Sequence, residues 1–149
     1  MMLGSPLFPG PQLDQVLSVK LEQLQVFANH LPLMPAHDSL FLLRNVLAMP
    51  RLLYTLRTTP CADSHQLVLY DNLLRATTSS ALNIDLDDTR WRQASLPVRW
   101  GGLGIRGAVL LAPSAYLASA ASISSLTQSL LPTRLQDIAD QYIEVTLSA

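Results

Sequence analysis

Gly102, Gly104 and Gly107 spell G-x-G-x-x-G, the fingerprint of a dinucleotide-binding turn. That chemistry needs a core strand before the turn, a helix after it, and an acid about 20 residues on for the ribose. Only Val98, Arg99 and Trp100 could supply the strand, and no acid follows until Asp137. The glycines are therefore assigned to a packing turn, and no cofactor is expected. Asp85, Asp87 and Asp88 form the one carboxylate cluster. They could open a calcium loop, but Arg90 stands where the loop glycine belongs and Leu96 where the bidentate Glu belongs. Acids at a helix start serve as caps, which is the reading preferred here.

Cys61, Asp63 and His65 lie close enough to suggest a thiol nucleophile. Such a nucleophile needs a base across the fold and an oxyanion donor, and no second constellation supplies them. His30 and His37 bracket the prolines Pro32 and Pro35 without a paired His, Cys or acid at ligand spacing. No metal site and no catalytic residue is expected.

The remaining chemistry is arginine. Arg44, Arg51, Arg57 and Arg75, with Arg90 and Arg92, could line one side of the helices and track a phosphate backbone. Arg99 and Arg106 flank the glycine turn and could grip phosphate as forked donors. Tyr54, Trp91 and Trp100 could add stacking surfaces. The alternative is that these arginines are solvated and the aromatics belong to the core.

Helices must position all of these groups. The apolar period is helical almost throughout, which predicts an all-α, irregular bundle of about six helices with one short extended glycine turn. Residues 1–11 carry three prolines and read as an extended lead-in. A helix is expected from Gln12 to Leu31, with Leu13, Val16, Leu17, Leu21, Leu24, Phe27, Ala28 and Leu31 as its stripe. The next begins near His37 or Asp38, with Leu40, Leu43, Val46 and Leu47 inward and Phe41 and Leu42 beside them. Pro50 stops or kinks it, or opens the following helix, whose core residues are Leu52, Leu53 and Leu56. Asp63 and Gln66 are spaced as a capping box for a helix reaching Leu82, with Leu67, Tyr70, Leu74 and Ala81 as one face. A short helix follows to Ala94, with Trp91 as its anchor.

Leu96–Ala120 is the stretch around which the chain is organised. Pro97 pushes Leu96 towards extended geometry, and Val98 to Trp100 alternate as an extended piece would. Gly101 and Gly102 can take positive φ and turn the chain, with Gly104 just beyond. From Gly107 the spacing of Ala108, Leu111, Ala115, Ala118 and Ala121 becomes helical, and Pro113 should kink or restart that helix. No charge occurs from Gly107 to Thr133, long enough for a membrane span of about 20 residues. Pro113, six serines, Thr127 and Gln128 interrupt it, so a buried helix followed by a serine-rich joint at 122–129 is expected, and no membrane. Thr133 and Gln136 form a capping box for a last helix to Leu147. The domain division is thus a lead-in at 1–11, a helical domain at 12–121, and a joint with a final helix at 122–149.

The totals narrow the function classes. Of 149 residues, 49% are hydrophobic, enough for a substantial core. The net charge of −1 gives no global pull towards nucleic acid, but charge is uneven. Residues 44–106 hold eight arginines against five carboxylates, a local +3, while the two flanks each carry −2. A single cysteine excludes an intramolecular disulfide and fits a reducing compartment, and no signal peptide is legible. A cytoplasmic or nuclear location is favoured on that basis.

Four segments in order carry a resemblance: Leu40–Arg44 (LFLLR), Pro50–Arg57 (PRLLYTLR), Trp91–Val98 (WRQASLPV) and Gly101–Arg106 (GGLGIR). Together they resemble the region after the catalytic palm in LINE-like, non-LTR retrotransposon reverse transcriptases. Leu3–Leu7 (LGSPL) is similar to the segment that closes the palm in such proteins, so the likeness spans residues 3 to 121. It implies a thumb-like helical region that holds an RNA/DNA primer–template duplex beside a polymerase centre. The palm's motif of an aromatic, a variable residue and two aspartates is missing, since Asp87-Asp88 is preceded by Asp85-Leu86. The resemblance therefore implies a non-catalytic fragment of an RNA-directed DNA polymerase, binding nucleic acid at most. The rival expectation is a helical module that buries an apolar face on a partner protein.

Overall fold

Gly10 turns the chain at φ 143° and hands it to Pro11, whose fixed φ suits the first position of a helix. Helix α1 then runs Pro11–His30, with Asp14 in its first turn and Leu13, Leu17 and Leu24 buried. A 3-10 turn, Leu31–Leu33, absorbs Pro32 and leads into α2, Ala36–Leu42. The computed structural model describes residues 5–130 together with 143, 144 and 147, and no strand occurs among them. The protein is all-α, as the periodicity predicts. The capping box at Thr133 and Gln136 and most of the expected last helix lie outside the described residues.

Helix α2 does not stop at Leu42 but widens into a π turn, Leu43–Leu47, closed by Ala48 N–H on the Leu43 carbonyl at 3.0 Å. Helix α3, Met49–Thr58, follows with Pro50 in its first turn. Helix α4 spans His65–Leu82 and ends at Asn83, which takes the left-handed conformation in place of the usual glycine. Helix α5 is Asp88–Ser95, and α6 is Ala108–Leu130. The long α4 is central: α1, α2 and α6 all pack on it, and α3 pairs with α6.

Leucines build the shared core. Leu43, Leu52, Leu56, Leu67 and Leu74 are sealed from solvent, each contributing roughly 1.5–3 kcal/mol by burial. The lead-in is tied to the far end of α3 by hydroxyls. Ser5 Oγ lies 3.1 Å from Thr59 Oγ1 and accepts from Thr58 Oγ1 at 3.0 Å, while Thr59 donates to the Pro6 carbonyl.

Several expectations are corrected. Val46 and Phe41 do not face inward, at 44% and 59% exposed; Val46 lies within the wide π turn, which shifts its phase from ordinary helical spacing. Asp63 does not cap α4. The helix starts one residue later behind Ser64, whose hydroxyl instead reaches Asp14 Oδ1 of α1 at 3.2 Å. Val98–Trp100 is a 3-10 turn, not an extended piece. Helix α6 runs through both Pro113 and the expected serine-rich joint. Hydroxyls of Ser114, Ser122 and Ser129 bond back to carbonyls three residues earlier, keeping these polar groups within the helix. Its core face is Ala108, Ala112 and Ala115, whereas Ala118 and Ala121 are not buried. The helix outruns the core it packs on.

Candidate functional site

The π turn and the glycine loop face each other. Pro50 has no N–H to return to Val46, so the ladder is already interrupted where α2 meets α3. Tyr70, buried on α4, aims its hydroxyl at the join and donates to the carbonyls of Leu47 and Ala48 at 3.3 and 3.2 Å. Burial raises the Tyr70 pKa, so the hydroxyl stays a donor. The widened turn is thus pinned from beneath, and it swings Arg44 and Asn45 to the surface.

Opposite stands the loop after α5. Pro97 fixes the start of the 3-10 turn, and Gly101 ends it in the left-handed region at φ 83°. Leu103 N–H returns to the Ala94 carbonyl and Gly104 N–H to the Leu96 carbonyl, both at 2.9 Å. Gly102, contrary to expectation, does not take positive φ; its role is close approach. A Cβ there would stand 2.0 Å from the Leu96 carbonyl oxygen. Positive φ falls on Gly104 instead, at 75°, where the Arg44 side chain lies against the backbone. Within the G-x-G-x-x-G spelling, Gly102 thus allows close approach and Gly104 supplies the left-handed turn.

Between turn and loop lies a groove of about 380 Å³. Ala48, Leu53, Ile105 and Leu111 give it an apolar floor, Pro97 and Val98 form one wall, and Arg44, Asn45 and Arg106 supply the polar groups. No carboxylate lines it. The Asn45 amide is already committed to the Phe41 carbonyl at 2.9 Å, but two guanidinium forks over an apolar floor suit an anion attached to a less polar body, such as a phosphodiester.

The other candidate arginines are distributed differently. Arg75 Nε donates to the Leu86 carbonyl at 2.8 Å, and its Nη1 meets Asp88 Oδ1 at 2.6 Å. It ties α4 to the start of α5. Arg51 lies 4.8 Å from the Phe27 ring centroid and donates to Gln23 at 3.3 Å, bracing α3 against α1. Arg57 and Arg92 stand exposed away from the groove lining. Arg99 stacks on Trp100, 4.8 Å from the ring centroid. Of the eight candidate arginines only Arg44 and Arg106 line the groove; the single arginine face drawn from spacing is not what the helices assemble. Of the aromatics, Trp91 packs against the core, while Tyr54 and Trp100 are exposed.

The acid and thiol motifs resolve as structural parts. Asp87 caps α5 by accepting Arg90 N–H at 2.8 Å, as the capping reading expects. Among the described residues, no group of three His, Cys, Asp or Glu could hold a metal ion. Cys61 is only 4% exposed, and burial pushes its thiol up to about 11, so it stays protonated at neutral pH.

The sequence reading missed Asp71. From α4 it reaches the start of α6 and accepts Ala108 N–H at 2.5 Å and Val109 N–H at 3.1 Å. It caps a helix other than its own. Burial raises its pKa above 3.8, opposed by the two backbone donors, which lower it. Gly107 makes this approach possible, since a Cβ there would stand 2.9 Å from Asp71 Oδ2. The available signal was negative: Ile105-Arg-Gly-Ala108 offers no capping side chain of its own.

Compared with protein-family models, curated proteins and solved structures, the chain matches none of them. No helix among the described residues is long and apolar enough to cross a membrane.

Proposed function

We propose that this chain is a non-catalytic, thumb-like helical module that holds nucleic acid by its backbone, with the groove between the π turn and the glycine loop as its grip. One observation carries the reading. Arg44 and Arg106 end two of the segments that resemble a retrotransposon reverse transcriptase, and folding brings them to one groove without a carboxylate. An acid-free pair of guanidinium groups favours phosphate over cationic or neutral ligands. The primer–template duplex implied by the resemblance is the natural candidate, and the all-α fold agrees with a thumb.

The test is binding of a short RNA–DNA hybrid across a salt series. Wild type should bind with affinity that falls steeply as salt rises. The double variant Arg44→Ala/Arg106→Ala should bind more weakly with a salt slope shallower by about 2. Unchanged affinity and slope in that variant would remove the groove from the function.

A second reading, a protein-interaction module, has its own observation. Ile123, Leu126 and Leu130 follow one another at helical spacing on the outer part of α6, and all three are exposed. Association through that surface should hardly respond to salt.

A further inference from the structure

We infer that Trp100 is a base-stacking platform beside the Arg44–Arg106 groove, so that the preferred ligand is a strand with unpaired bases, such as a single-stranded extension on a duplex. This rests on the nucleic-acid reading of the groove and narrows it. Trp100 is 63% exposed, a large apolar surface to leave in water. It is not on a loose tip. Its N–H returns to the Pro97 carbonyl at 2.9 Å, and Pro97 is itself part of the groove wall. The turn is closed again behind it by Gly101 N–H on Val98 at 3.0 Å and Gly102 N–H on Pro97 at 3.3 Å.

Arg99 lies over the indole at 4.8 Å, a cation–π contact that restrains the ring from that side. A restrained ring loses little freedom when a flat partner docks. Trp91, the other tryptophan, packs against the core and offers no comparable surface.

Size and charge select the occupant. A groove of about 380 Å³ falls in the range of pockets that hold one small molecule, roughly 300–1,000 Å³. One phosphate and its sugar fit that description. The cationic, acid-free lining requires an anion, and the neighbouring π surface requires a flat group linked to it. Continuous duplex keeps its bases stacked on one another, whereas unpaired bases can be splayed onto an aromatic side chain. A phosphate between Arg44 and Arg106 with the adjacent base on Trp100 satisfies both features at once.

Three ligands separate the possibilities: a blunt RNA–DNA hybrid, the same hybrid with a single-stranded extension, and that hybrid with an abasic extension of equal charge. The full chain should bind the extended hybrid about five- to a hundred-fold more tightly than the blunt one. The abasic extension should lose that advantage, as should Trp100→Ala, while Trp100→Phe keeps most of it and leaves thermal stability unchanged. Equal binding of the abasic and base-bearing extensions, or an advantage that survives in Trp100→Ala, overturns the stacking role. In that case binding that still depends on Arg44 and Arg106 leaves the groove reading standing. Absence of binding to all three ligands at low salt overturns both.

Discussion

At the α4–α5 junction, Arg75 is held by the Leu86 carbonyl and Asp88, and nearby Arg90 donates to the Asp85 carbonyl and approaches Asp87 at 3.8 Å. At the π turn, Arg44 and Arg106 face a groove that no carboxylate lines. The residue type is the same, but the local charge is not: three carboxylates offset the arginines at the junction, and none does so at the groove. The difference lies in the acids. Asp85, Asp87 and Asp88 all sit where α5 begins, so the arginines near them are committed to holding the chain. The loop at 96–106 contains no acid, and its two arginines, Arg99 and Arg106, are both exposed. Counting arginines says little about a phosphate site; which of them already have a carboxylate or carbonyl to hold says much more.

The sharpest way to break that comparison is to remove an arginine from each side. Arg75→Ala should cost about 2 kcal/mol of stability, mostly through the lost carbonyl bond, since the ion pair with exposed Asp88 contributes little. Urea unfolding measures it, and the salt slope of nucleic-acid binding should not move. Arg44→Ala/Arg106→Ala should do the reverse. It should lose about tenfold in affinity, or 1.4 kcal/mol, with the urea midpoint unchanged.

Asp71 sharpens the comparison from the acidic side, as a carboxylate engaged with backbone rather than with arginine. Asp71→Ala should cost about 1 kcal/mol, the usual loss of a helix cap. Its pH dependence has a definite sign. With its pKa raised by folding, the native state holds a proton that the unfolded chain releases, across the window from 3.8 up to the raised value. Wild-type stability from this group is therefore greatest below 3.8 and declines as pH rises through the window. The deficit of Asp71→Ala should narrow over the same range, read from urea midpoints at several pH values. A deficit that widens would mean that the carboxylate is favoured in its charged form.

The smallest effect is expected on outer α6. Leu126→Ser/Leu130→Ser should change stability by no more than about 0.5 kcal/mol, as for other exposed positions. Thermal melts would show this. A partner-binding role for α6 would appear as loss of association without loss of folding.

Much of the fold was legible because leucine spacing and proline positions act locally. Leu13, Leu17 and Leu24 mark α1 in the sequence and are its buried residues in the structure. Leu67, Tyr70 and Leu74 do the same for α4. The π turn was not legible, because Leu40, Leu43 and Leu47 are spaced as an ordinary helix would space them; only the exposed Val46 betrays the extra residue. The serines at 122–129 pointed to a joint by composition, yet those described bond within the helix. At the site, Arg44 and Arg106 are both legible as candidates, but that they line one groove depends on how α3 and the glycine loop pack. Asp71 was out of reach for the same reason: a cap supplied from another helix leaves no local spacing to read.

A π turn is a helix carrying one residue more than its hydrogen-bond ladder requires. Deleting a single residue within 43–47 would let the α2 ladder close in the ordinary way, while turning the side chains before the deletion by about 100° relative to those after it. Most apolar residues would remain, but the guanidinium of Arg44 would be carried round the barrel of the helix, away from the loop it now opposes. Segment length, more than side-chain identity, is what keeps this grip aimed.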